Sequence, residues 1–80
     1  MMRIKIQNRM AGSIPSEEVV EIPTVGGSEE VVVHKSQVSA DSVEVGFIGR
    51  KETDGSVLIE LPRESVSGRW RVWVPKTAVG

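Results

Sequence analysis

Gly68-Arg69-Trp70-Arg71-Val72-Trp73-Val74-Pro75-Lys76-Thr77-Ala78-Val79 alternates up to a proline, and its reading decides the fold. A strand sends successive side chains to opposite faces, so Trp70, Val72 and Val74 are expected on one face and Arg69, Arg71 and Trp73 on the other. The first is a core face. The second sets two guanidinium groups and an indole on the outside of a small domain, which suits contact with a partner.

The same period of two recurs upstream. Arg3-Ile4-Lys5-Ile6-Gln7 reads as a strand with Ile4 and Ile6 inward, and Asn8 to Ser16 as loop. Glu17 to Ile22 and Glu29 to His34 form a hairpin across Pro23-Thr24-Val25-Gly26-Gly27-Ser28. Val43-Glu44-Val45-Gly46-Phe47-Ile48 runs on toward Lys51, Thr53-Asp54-Gly55-Ser56 turns, and Val57-Leu58-Ile59-Glu60-Leu61 returns; Asp-Gly is a strong hairpin signal. Ser67-Gly68 marks the last reversal. No window carries the helical spacing of apolar residues with caps, and only Lys35 to Ser42 leaves room for a turn of helix. The fold class expected is all-β, a small barrel or meander of five to six antiparallel strands with short 3₁₀ turns, forming one domain over residues 1–80.

Composition agrees with strands. The chain has 80 residues, 39% of them apolar, rich in valine and isoleucine, with three aromatics, Phe47, Trp70 and Trp73. Branched side chains fit a pleated surface and lose rotamer freedom in a helix. With no cysteine there is no disulfide framework or thiolate metal site, which fits a reducing cytoplasm. Charges interrupt the first residues and no long apolar run follows, so neither a secretory signal nor a membrane span is expected.

The pattern apolar-Pro-x-x-x-Val occurs at Ile14 to Val19, Leu61 to Val66 and Val74 to Val79, and at Val33 to Val38 with His34 in place of proline. Proline ends a ladder and can start a 3₁₀ turn that returns the following valine to the core. The last copy, behind an aromatic strand, resembles the end of SH3 domains, where a strand closes with an Ile/Val-Pro dipeptide, a 3₁₀ turn and a short final strand. The resemblance implies an SH3-like barrel. It does not extend to the ligand: those SH3 domains that bind proline-rich peptides use tyrosines and a tandem Trp pair, whereas this chain has no tyrosine and has Ala78 at the closing-turn position.

Catalytic chemistry finds little material. His34 is the single histidine, and Ser36 and Ser39 lie in no nucleophile motif. Glu30 and His34, four apart on a strand, are separated by ~13 Å and cannot share one ion unaided. Gly26-Gly27 lacks a lysine and a following helix, so it is no phosphate cradle. No enzyme, metal or cofactor is expected.

What remains is binding. Net charge is −1, yet residues 1–10 hold Arg3, Lys5 and Arg9 without an acid, residues 11–30 hold five glutamates without a base, and residues 69–80 hold Arg69, Arg71 and Lys76 without an acid. These also read as solvated outer faces. Tryptophan and arginine are enriched at interface hot spots, so the expected function is a non-enzymatic binding or assembly module contacting a protein, or a second copy of itself, through Arg69, Arg71 and Trp73, joined by Lys5 if the chain ends are adjacent. The alternative on the same face is weak binding of single-stranded nucleic acid, RNA included, by stacking and cations; eleven acidic residues oppose it. Without a partner, Trp73 serves as a barrel cap beneath an arginine.

Overall fold

Alternating valine and isoleucine build the strands, and the computed structural model describes residues 2–80. In chain order these are β1 (Met2–Lys5), β2 (Asn8–Ala11), β3 (Glu17–Thr24), β4 (Gly27–His34), β5 (Val38–Ser39), β6 (Ser42–Arg50), β7 (Val57–Glu60) and β8 (Arg71–Val74), with 3₁₀ turns at Lys35–Gln37 and Lys76–Ala78. A five-stranded sheet runs β1-β6-β7-β8 with β5 also on β6, and a three-stranded sheet runs β2-β3-β4. Every pairing is antiparallel.

The inward rows carry the core: Ile4 on β1, Val20 and Ile22 on β3, Val31 and Val33 on β4, Val43 and Val45 on β6, Val57 and Ile59 on β7, Val72 and Val74 on β8. Both sheets contribute to this one cluster. Each fully buried side chain of this kind adds about 1.5–3 kcal/mol before chain entropy is counted. The residues that alternate with them face outward, which is why so short a chain sustains two sheets on 39% apolar content.

The expected all-β meander is present, with the hairpin pairings as read: Val19 opposite Val32, and Arg50 opposite Val57. Asp54-Gly55 sits in a loop closed by Lys51 N–H to Ser56 O at 2.8 Å, and Gly55 has φ +75°. The Pro75 copy of the proline pattern makes the predicted 3₁₀ turn, though Ala78, at 4% exposure, fills the core while Val79 bridges back to Ile4.

Three expectations are corrected. Asn8 to Ser16 is not all loop, because β2 forms there with every residue exposed; its ladder to β3, Asn8 opposite Glu21 through Ala11 opposite Glu18, holds it without burial, so no alternation announces it. The sheets do not close into a barrel. Across the gap β8 receives one bond from the β3–β4 turn, Val25 N–H to Trp73 O at 2.9 Å, instead of a continuous ladder. The proline pattern fails at Leu61 to Val66, where Val66 is 69% exposed.

Candidate functional site

β8 starts at Arg71, one residue after Trp70, and this decides where the two indoles go. Val72 and Val74 are buried and Trp73 faces the other way, as the alternation requires. Trp70 is not a core residue; it is 54% exposed. Its carbonyl still accepts Leu61 N–H at 2.8 Å, but Leu61 closes the core at that end. The indole lies beyond it, on a 470 Å³ cleft with Glu44, Glu60 and Pro62. Trp73 is half-buried opposite Leu58, and the cation above its ring is Lys51, Nζ 4.8 Å from the centroid, not an arginine.

Both arginines of the expected face have acidic partners. Arg71 Nε lies 3.3 Å from Glu60 Oε2, its neighbour across the β7–β8 ladder. Arg69 Nε lies 3.5 Å from Glu29 Oε2 on β4, a contact from the lead-in of β8 to the three-stranded sheet. Glu29 also accepts Ser67 Oγ–H at 2.6 Å. The Ser67 hydroxyl foremost, then Ser65 and the Arg69 charge, hold its carboxyl below the usual glutamate range against the opposing effect of desolvation. The 65–69 turn behind this cluster is tied by Ser65 N–H to Arg69 O at 2.8 Å and Arg69 N–H to Ser65 Oγ at 3.0 Å.

Lys5 does not join them. The chain ends are adjacent, through the Ile4–Val79 bridge and Gly80 N–H to Arg3 O at 3.1 Å, but β6 and β7 separate β1 from β8. Arg69 and Trp73 thus border one cleft, Arg71 is turned to Glu60 on β7, and Lys5 stays on a distant strand.

The charge blocks of the sequence become local pairs in space. Arg9 grips Glu18 with Nε and Nη2 at 2.8 Å each, and Arg63 Nη1 meets Glu17 at 3.1 Å. That fork raises the Arg9 pKa and lowers that of Glu18. From the basic ends, Arg9 and Arg69 meet Glu18 and Glu29 of the acidic segment, while Arg3 and Arg71 pair with Glu44 and Glu60, so no opposed basic and acidic faces form. Among the described residues no group of three or more His, Cys, Asp or Glu is placed to hold a metal, and no helix is long and apolar enough to cross a membrane.

Sequence reasoning missed Glu29, Lys51 and the exposure of Trp70. Glu29 meets residues 38 and 40 positions away, beyond any local pattern. Lys51 had a usable signal, since the Asp54-Gly55 hairpin returns the chain next to it and β8 pairs beside β7. Comparison of the chain with protein-family models, with curated proteins and with solved structures finds no match.

Proposed function

We propose that this chain is a non-enzymatic binding or assembly module that engages a protein partner, or a second copy of itself, through Arg69, Arg71 and Trp73. The observation that carries the reading is the density of anchor residues at the start of β8: two indoles and two guanidinium groups in sequence positions 69–73, with Trp70 54% exposed. Such side chains gain most from being desolvated by a partner. Lys5, three strands away in the sheet order, is dropped from the face.

The architecture is read as SH3-like on the β6–β7–β8 meander, the 3₁₀ turn after Pro75 and the return of Val79 to β1. A cytoplasmic setting is read from a stability that uses no disulfide. Nucleic acid is the weaker ligand, because Arg3, Arg9, Arg63, Arg69 and Arg71 each lie within 4 Å of a glutamate, and Glu44 and Glu60 border the exposed indole.

The test compares wild type with Arg69→Ala/Arg71→Ala/Trp73→Ala for thermal stability, mass in solution and recovery of host partners. A folded variant that loses a partner or a dimer supports the reading. A folded variant that keeps every partner and the same mass overturns it.

A further inference from the structure

Arg69 differs from the other paired arginines. Arg3, Arg9, Arg63 and Arg71 each donate at least one side-chain hydrogen bond, whereas Arg69 meets Glu29 only at an ion-pair distance of 3.5 Å. Its guanidinium makes no hydrogen bond among the described residues, and the side chain is 65% exposed. A guanidinium carries five N–H donors in a planar fork that matches a carboxylate.

This fork borders a cleft of 310 Å³ between the β3–β4 turn and β8, whose walls include Val25, Gly26, Ser28, Trp73 and Lys51. Glu29 is the one acid on its lining. Ser67 and Arg69 already hold that carboxylate, which leaves the cleft with an excess of one positive charge from Lys51 and Arg69. The backbone adds a donor. Trp70 O pairs toward β7 through Leu61 N–H, so Trp73, three residues on, turns its N–H and C=O away from β7. The C=O takes Val25 N–H, and the N–H has no partner among the described residues.

We infer that this cleft takes an acidic side chain carried on an extended segment of a protein partner. The carboxylate sits between the Arg69 fork and the Lys51 ammonium, the segment's methylenes lie on the Trp73 indole and Val25, and a main-chain carbonyl accepts Trp73 N–H in the manner of strand addition. Peptide is favoured over nucleic acid because one cleft with two cations receives a single carboxylate, whereas a phosphate backbone needs a track of cations, and the other paired arginines are taken up by glutamates. The inference rests on the binding reading above and specifies the partner's chemistry.

The experiment titrates ¹⁵N-labelled full chain with acetyl-tetraglutamate amide, acetyl-tetralysine amide and an oligothymidylate octamer at two salt concentrations. The expected result is a saturable shift of the Trp73 indole N–H and of the Gly26 and Ser28 amides with tetraglutamate alone, weakened about tenfold or more by Arg69→Gln and by Lys51→Gln and partly restored by Arg69→Lys. No saturable shift at these groups, an equal response to tetralysine, or tighter binding of the octamer overturns the inference. The two readings fail separately. A triple variant that loses its partner while wild type ignores tetraglutamate keeps the face and removes its acid preference; a tetraglutamate response with unchanged partner recovery removes the face.

Discussion

Ser65→Ala tests the link between the 61–70 segment and β4. Ser65 is 5% exposed, and its Oγ accepts Arg69 N–H at 3.0 Å, lies 3.3 Å from Ser67 Oγ and helps lower the Glu29 pKa. Alanine leaves the Arg69 N–H without its acceptor and removes a donor from a cluster around a carboxylate. Leaving one buried polar group unpaired costs about 1–3 kcal/mol, and water reaching the exposed Arg69 side recovers part of that, so a loss of about 1–2 kcal/mol is expected. Against a total of roughly 4–12 kcal/mol for a chain of this length, the change is easily measured, with Tm falling about 4–8 °C per kcal/mol. The assay is urea and thermal unfolding of wild type, Ser65→Ala, Glu29→Gln and the double variant from neutral to acid pH. Because the folded Glu29 pKa lies below its unfolded value, its stabilisation is present above the ordinary glutamate range and is lost as pH falls through the lower folded value. Ser65→Ala should flatten that part of the pH profile, and the double variant should lose less than the sum of the singles. A Ser65→Ala protein within about 0.5 kcal/mol of wild type, with the full acid dependence intact, refutes that link.

Trp73→Ala should destabilise by about 1–3 kcal/mol through lost packing on Leu58 and the Lys51 contact, and Trp70→Ala by less than about 1 kcal/mol, because Trp70 is 54% exposed; urea melts read the order, and its reversal sinks the assignment. Gly55→Ala meets both a φ of +75° and Lys76 Cδ at 3.0 Å from the new Cβ, so a cost of about 1 kcal/mol or more is expected. Gly26→Ala, with nothing within 4 Å of the new atom, is the control and should stay near neutral in the same melts.

Much of the fold was legible because burial on one face imposes a period of two. Val43, Val45, Val57, Ile59, Val72 and Val74 all lie where their alternation puts them. β2 was not legible: Asn8-Arg9-Met10-Ala11 is a strand by ladder alone, with no buried side chain to leave a pattern. Trp70 shows the opposite limit. It has the correct parity for the core, but parity names a face and says nothing of where the core ends, and Leu61 ends it. Of the candidate site, the residues contributed by β8 and its lead-in were readable from one strand, while Glu29 and Lys51 arrive through sheet packing and a hairpin return, contacts that no local spacing encodes.

The position of Arg69 bears on the proposed contact with a partner. An arginine that is the sole support of a buried carboxylate cannot turn to a ligand without leaving that carboxylate unpaired, a penalty that would oppose binding. Glu29 is not in that state, because the Ser67 hydroxyl donates to it at 2.6 Å, whereas the Arg69 guanidinium reaches it only at 3.5 Å. Ser67 holds Glu29, which in the proposed contact leaves the guanidinium's donors for an incoming acid, while Ser65 N–H to Arg69 O and Arg69 N–H to Ser65 Oγ keep the turn in place. Arg69, which ties the lead-in of β8 to Glu29 on β4, is thereby free to take part in the proposed contact.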